Sequence, residues 1–212
     1  IQFYCDILGF KLLEQDSKNA KLTADGKTSF ISLVEPGNII PKQRRTAGLY
    51  HFAILLPERS DLAHLVTHLA SKGIRFGASD HLVSEAIYFD DPDGNGIEVY
   101  ADTETSTWEW DKEGVTMATN PLDFDDLLAS TSQRKQSWES MPEKSIIGHI
   151  HLHVSELQET ANFYTKGLEF EVVTRYQDSA LFLSTNKYHH HIALNTWNGV
   201  GAPQAPTNSV GL

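Results

Sequence analysis

The sequence has one cysteine, few basic residues and no long apolar run, and each scarcity excludes a class of protein. Cys5 is the only cysteine in 212 residues, which excludes an internal disulfide framework and favours a reducing, cytoplasmic location. The 17 basic residues are outnumbered by 28 acidic ones, and the net charge of −11 argues against nucleic acid as a partner. No stretch of eighteen apolar residues occurs, so we expect no membrane partner.

Several sequence signatures of enzymes are also missing. There is no glycine-rich phosphate loop, no nucleophile elbow and no dinucleotide fingerprint. The chain does not begin with Met, and we expect it to start inside a larger protein. With 40% hydrophobic and 21% charged residues, the composition is that of an ordinary globular protein with one large domain or two of roughly 100 residues.

An internal repeat organises what is present. The segment 3–10, FYCDILGF, is echoed by the segment 163–170, FYTKGLEF, and a shorter echo links TAGL at 46–49 with SVGL at 209–212. Each unit reads as a strand, a helix and then several strands. We therefore predict an α+β fold built from tandem βαβββ modules with curved mixed sheets.

The second unit shows this plan most clearly. Its strand over 50–56 precedes a helix that ends at Gly73 and has one apolar face, formed by Leu62, Leu65, Val66 and Leu69. A turn over 91–96 then leads into a strand over 97–100. From 103 to 145 the periodicity fades, and we predict a linker whose tryptophans hold it against the modules.

His51 and Glu98 are the first candidates for chemistry. On strand alternation His51 faces away from the helix side, to which Tyr50, Phe52 and Ile54 are assigned, and Glu98 faces the same way. An imidazole and a carboxylate converging with one more imidazole would form the 2-His-1-carboxylate arrangement that holds ferrous iron. The competing interpretation is that a strand histidine and a distant glutamate are unrelated.

Two further groups of histidines accompany them. His149, His151 and His153 share one strand face, but each step of two residues spans roughly 6.6 Å, so only one, His149, is predicted as a ligand. Alternation puts His189 and His191 on the face of Ala193 and His190 opposite. Such a histidine could carry a proton beside a metal, or could be an ordinary loop residue.

Four motifs together resemble the vicinal oxygen chelate superfamily. They are FYCDILGF at 3–10, GLYHFA at 48–53, DPDGNGIE at 91–98 and IGHIHLHV at 147–154. The superfamily includes glyoxalase I, fosfomycin-inactivating enzymes, bleomycin-binding proteins and extradiol dioxygenases. The four-module plan is most similar to the catechol 2,3-dioxygenase branch.

The resemblance implies that modules pair into two domains, a first at 1–102 and a second at 146–212, joined by the linker at 103–145. It implies metal ligands at His51 and Glu98 in the first domain and at His149 in the second. Each site is then expected to be incomplete, because the partner strands would precede Ile1 or follow Leu212. His191 matches a pocket histidine that assists proton transfer.

The activity implied by the resemblance is ring cleavage of an aromatic diol by dioxygen on Fe(II), and a homo-oligomer is left open. A glyoxalase-type isomerisation or epoxide opening on Mn(II), Zn(II) or Ni(II) is an alternative. Ser32, where glyoxalase I has another carboxylate, weakens that alternative. The third possibility is a metal-free binding protein of the bleomycin-resistance kind, since the fold alone does not decide function.

Overall fold

A computed structural model describes residues 1–131 and 137–212. The helices are α1 (Gln2–Asp6), α2 (Arg59–Ser71), α3 (Phe124–Ala129) and α4 (Leu157–Asn162), with a 3-10 turn at Thr105–Thr107 and a π-helical turn at Phe163–Gly167. The strands are β1 (Lys11–Gln15), β2 (Asn19–Thr23), β3 (Ile31–Val34), β4 (Gly48–Leu55), β5 (Gly77–Asp80), β6 (Ser84–Asp90), β7 (Gly96–Asp102), β8 (Trp110–Asp111), β9 (Gly114–Val115), β10 (Ile146–His153), β11 (Glu171–Tyr176), β12 (Ala180–Ser184) and β13 (Ile192–Asn195). Within the described ranges, no helix has the length and apolar character needed to cross a bilayer.

The main sheet has eight strands in the order β11-β12-β13-β10-β4-β7-β6-β5. Two pairs, β4 with β7 and β10 with β13, are parallel, and the other neighbours are antiparallel. The sheet curls into a half-barrel. The predicted α+β class with a curved mixed sheet is confirmed.

Two βαβββ modules meet at the centre of this sheet. The second module supplies β4, α2, β5, β6 and β7, and the third supplies β10, α4, β11, β12 and β13. Their opening strands, β4 and β10, pair antiparallel. Strands of the first unit form a separate three-stranded sheet, β1-β2-β3. The sequence led us to expect the second module beside the first, whereas here it pairs with the third, and the domain limits at 102 and 146 stay a prediction.

Helix α2 forms because apolar side chains recur along one face of it. Leu62, Leu65, Val66 and Leu69 are buried, as the sequence predicted, and pack in the main core with Ile97 and Val99 of β7. Burying each such side chain contributes about 1.5–3 kcal/mol. The helix therefore fixes one face of β7 and leaves the opposite face, which includes Glu98, for the concave side of the sheet.

The segment 103–145 packs against the modules along the part that the structure describes. Leu122, Leu127 and Met141 are buried in the main core. Trp108 is buried in a second cluster with Val83, Val115 and Val173, which joins the second module to the third. Residues 132–136 of the predicted linker lie outside the described residues.

Asp91 holds the turn that leads into β7. Its Oδ1 accepts hydrogen bonds from the backbone N–H groups of Asp93 and Asn95 at 2.9 and 2.8 Å. Its Oδ2 accepts from the Tyr4 hydroxyl at 2.8 Å and from the Asn95 side-chain amide at 2.9 Å. The acidic turn is thus satisfied by protein donors, in agreement with the predicted turn.

Replacing Asp91 by Ala should destabilise the protein by about 2 kcal/mol or more, because four donors lose a charged acceptor. The measurement is the midpoint of urea unfolding. Asp93→Ala is the matched control, since Asp93 is an exposed acid in the same turn, and it should change stability by no more than about 0.5 kcal/mol. Equal losses in the two variants would contradict the role given to Asp91.

Candidate metal centre

Two imidazoles and one carboxylate converge on the concave face of the sheet. The Nε2 atom of His51 lies 2.9 Å from Oε2 of Glu98, and the Nε2 atom of His149 lies 3.0 Å from the same oxygen. All three side chains are buried, and their ligand atoms lie within 4.8 Å of one another. The three metal ligands predicted from the sequence therefore form one cluster, whereas we expected them to be divided between two sites.

The register of three neighbouring strands builds this cluster. Ala53 of β4 lies opposite Glu98 of β7 on one side and opposite His149 of β10 on the other. Ala53 is fully buried, and its methyl group leaves room for the two longer side chains to meet above it. His51 lies two residues earlier on β4 and so faces the same side. The predicted shared face of His51 and Glu98 is confirmed.

Two irregularities in the β4–β10 pairing aim side chains into the site. Gly148 is the extra residue on β10, and a Cβ there would overlap the Tyr100 hydroxyl, so only glycine fits directly before His149. Tyr50 is the extra residue on β4, and its ring contacts the rings of His51 and His151. The prediction that Tyr50 faces the helix side was wrong, because a β-bulge turns two successive side chains to one face.

The electrostatics of Glu98 and His149 suit the binding of a cation. Burial alone would raise the pKa of Glu98, but His149 and His51 outweigh it and hold that pKa well below its usual range. Burial lowers the pKa of His149 despite the neighbouring carboxylate. The cluster thus offers an ionised carboxylate and a neutral imidazole, which are the forms that bind a metal.

The hydrogen bonding of the cluster also fits a metal. The Nε2 atom of His51 is buried and lacks a hydrogen-bond partner despite its short distance to Glu98. A buried polar atom without a partner costs free energy, which a cation beside it would recover. Two imidazoles and a carboxylate match the ligand set of non-haem Fe(II) sites. Nδ1 of His149 is also buried without a partner, although ligating histidines usually donate from their second nitrogen.

A second histidine pair lies directly beside the cluster. The ring of His190 is buried with its centroid 4.1 Å from that of His149. Its Nδ1 lies 2.8 Å from Nδ1 of His189, whose Nε2 lies 2.9 Å from Oδ1 of Asp102. His189 therefore donates to the carboxylate and accepts from His190. This assignment leaves Nε2 of His190 as its unprotonated nitrogen, since burial, followed by nearby histidines, lowers the pKa of His190 well below its usual value.

Sequence alternation did not place His190 in the site. Strand β13 begins at Ile192, so the three histidines before it lie outside the strand to which the alternation was applied. His191, the predicted proton carrier, is half-buried and has its Nδ1 3.0 Å from the Ser184 hydroxyl. Its ring contacts Phe170 and Tyr188, and neither residue belongs to the metal cluster.

Two further predicted pocket residues, His151 and His153, flank the cluster on β10. Nε2 of His151 accepts a hydrogen bond from the Asn195 side-chain amide at 2.8 Å. Nδ1 of His153 donates to the carbonyl oxygen of the same amide at 2.7 Å. One amide thus fixes both rings, and the predicted role of these histidines as pocket or rim residues is consistent with their places.

Tyr88 borders the cluster from β6. Its hydroxyl lies 2.6 Å from Nε2 of His81, whose Nδ1 donates to the backbone carbonyl of Ala118 at 2.6 Å. Burial, and then the charge of Glu98, raise the pKa of Tyr88 well above its usual value. A neutral phenol is therefore fixed beside the carboxylate, a feature that the sequence did not reveal because it depends on the pairing of β6 with β7.

The chain belongs to the glyoxalase/bleomycin resistance protein/dioxygenase superfamily, whose family model matches residues 1–99 and 146–205. It is 49% identical over 215 residues to the catechol-2,3-dioxygenase of Bacillus subtilis (strain 168), which covers all of this chain and 75% of that protein. It is also 32% identical over 104 residues to biphenyl-2,3-diol 1,2-dioxygenase 3 of Rhodococcus globerulus, covering 48% of this chain and 55% of that protein. The predicted resemblance is confirmed.

Solved structures agree on the fold. A structure described as a dioxygenase from Bacillus subtilis subsp. subtilis str. 168 superposes with a TM-score of 0.58 at 16% identity, covering 92% of this chain and 58% of that chain. A glyoxalase I mutant from Zea mays gives a TM-score of 0.50 at 18% identity, covering 92% and 63%. At these identities the likeness defines the fold alone.

Replacing Ala53 by Leu should abolish metal binding, because the added atoms fill the space in which His149 and Glu98 meet. Ala86→Leu is the matched control, since Ala86 is equally buried in the same apolar cluster but lies on β6. Both variants should lose about 1–3 kcal/mol of stability through overpacking. Metal titration by calorimetry should show binding only in the control. Normal metal binding in Ala53→Leu would refute the proposed position of the metal beside Ala53.

Proposed function

We propose that this protein is a metal-dependent extradiol dioxygenase that opens the ring of an aromatic diol with dioxygen, with Fe(II) held by His51, Glu98 and His149. The cluster of two imidazoles and one carboxylate is the observation that carries the proposal. The 49% identity to a catechol-2,3-dioxygenase supports it. The chain spans about half the length of its Rhodococcus relatives, so the activity of the whole protein is itself part of the proposal.

His51, His149 and Glu98 would supply three ligands to the ion. Such a ligand set leaves neighbouring positions open for two diol oxygens and for dioxygen. When bound, the metal acidifies the diol and lets electron density pass from the ring to oxygen. All three ligand side chains are buried, so the surrounding residues hold them in place and keep bulk water away from them.

His190 would accept the proton that the diol loses on binding. Nε2 of His190 is unprotonated, and the His190 ring packs against the ring of the ligand His149. Asp102 and His189 fix the orientation of that ring through the two hydrogen bonds described above. His191, the carrier predicted from the sequence, remains the alternative, because it lies next in the chain and is more exposed.

Tyr88 would confine Glu98, which it faces across the pairing of β6 with β7. Its phenol remains protonated at neutral pH, and it donates its one proton to Nε2 of His81. The hydrogen bond from His81 to the Ala118 carbonyl fixes the His81 ring. That ring in turn accepts the hydrogen bond of the Tyr88 hydroxyl. Ligands held in this way by outer residues usually bind metal more tightly than unsupported ones.

Removing the metal should abolish ring cleavage, and adding back Fe(II) should restore it. The assay is oxygen uptake with catechol, read together with the absorbance of the yellow ring-opened product. Glu98→Gln should neither bind metal nor consume oxygen, because the carboxylate ligand is lost. Full activity in a metal-free preparation would exclude the proposal. Binding of catechol without oxygen uptake in the iron-loaded protein would favour a sequestering protein instead.

Replacing His190 by Phe should lower kcat by roughly 100-fold or more while metal content stays unchanged, since general base catalysis typically contributes that much. His191→Phe should have a much smaller effect if its contacts with Ser184 and Tyr188 are its main role. Steady-state kinetics with catechol and metal analysis of both variants decide between the two histidines. The reverse ranking would return the role to His191.

A further inference from the structure

A basic cleft opens beside the candidate metal centre. It has a volume of about 1040 Å³, which is large for a small-molecule site. Three of the cations in this acidic protein, Lys42, Arg44 and Arg45, line it within four positions of the sequence. Asp90 lines the same cleft. The local charge is therefore opposite in sign to the net charge of −11.

The two arginines are the uncompensated charges of this cleft. Lys42 donates to the Gly94 carbonyl at 2.9 Å, and the charge of Asp90 acts on it. Arg44 and Arg45 are exposed, and among the described residues neither has an ion pair. Guanidinium groups bind carboxylates through two parallel hydrogen bonds. The cleft therefore has an unused capacity for an anion.

The loop that carries these arginines is anchored by hydrogen bonds at both ends. At one end Ile40 exchanges backbone hydrogen bonds with Asn208 and Val210, and at the other Ala47 donates to Pro203. The Asn198 side chain donates to the Thr46 carbonyl at 2.9 Å. Arg45 itself has a φ of 59°, a conformation that costs most residues energy and persists only where the surroundings impose it.

The inner wall of the cleft is aromatic and adjoins the metal cluster. Tyr50 and His153 line it, and the exposed fraction of Tyr50 is 39%. The same Tyr50 ring contacts that of His51, with 5.0 Å between the ring centroids. Trp197 packs edge-on against Tyr50 at 5.4 Å. A ligand in the cleft would thus meet an aromatic surface one residue away from a metal ligand.

We propose that this cleft binds aromatic carboxylates, with the carboxylate on Arg44 and Arg45 and the ring against Tyr50. As a statement about substrates this rests on the proposed function: it names aromatic diols that carry an acidic substituent as the preferred class. The cations supply charge recognition, and the aromatic wall supplies stacking area. Neutral diols lack the group that the arginines would bind.

Calorimetric titration of the metal-free protein with benzoate and with benzamide tests the cleft without any ring cleavage. The two probes have the same shape and differ in charge. Benzoate should bind about tenfold more tightly than benzamide, and the double variant Arg44→Gln/Arg45→Gln should lose that preference. The matched control is Arg75→Gln/Arg175→Gln, which removes two exposed arginines elsewhere and should retain it. Raising the salt concentration should weaken the binding of benzoate but not that of benzamide.

Equal binding of benzoate and benzamide, no measurable benzoate binding, or an equal loss in both double variants would overturn the inference. A second pair of probes, 3,4-dihydroxybenzoate and 3,4-dihydroxybenzamide, links the cleft to the iron-loaded enzyme. Cleavage of both diols with equal kcat/KM overturns the substrate assignment while leaving the dioxygenase intact. If benzoate binds but no diol is cleaved, the proposed anion-binding role of the cleft is supported and the proposed dioxygenase function is rejected.

Discussion

Strand β10 pairs with strand β4, and the candidate metal centre depends on this one contact. It brings His149 to the side of Ala53 opposite from Glu98, so that a histidine from the third module reaches a carboxylate from the second. Without that pairing Glu98 would lose one of the two imidazoles that contact its Oε2 atom. A buried carboxylate with too few partners costs several kcal/mol, so pairing and site support each other.

The surroundings of the cluster keep its groups in the forms that chemistry needs. Burial lowers the pKa values of His149, His151 and His190, while His149 and His51 hold the pKa of Glu98 low and keep it ionised. The result is one negative charge among several neutral imidazoles, a balance that a divalent cation completes. Asn195 and Asp102 then fix which nitrogens of the flanking rings carry protons.

Patterns of short range in the sequence predicted much of this. The alternation in β4 and β7 placed His51 and Glu98 on one face, and the apolar spacing of α2 identified the opposite face. The predictions that failed depended on contacts between distant parts of the chain, or on segments in which the strand periodicity is broken. The choice of β10 as partner of β4 is decided by tertiary packing, and the bulge at Tyr50 and the irregular backbone before Ile192 cancel the two-residue period on which the positions of Tyr50 and His190 were predicted.

In the proposed site, strands of the second and third modules share one metal ion. The most direct test of this arrangement is a crystal structure of the protein loaded with Fe(II), with the metal located by anomalous scattering. We expect one strong peak in contact with His51, Glu98 and His149 of the same chain. A metal bound without His149, or held by residues from another pair of strands, would contradict it.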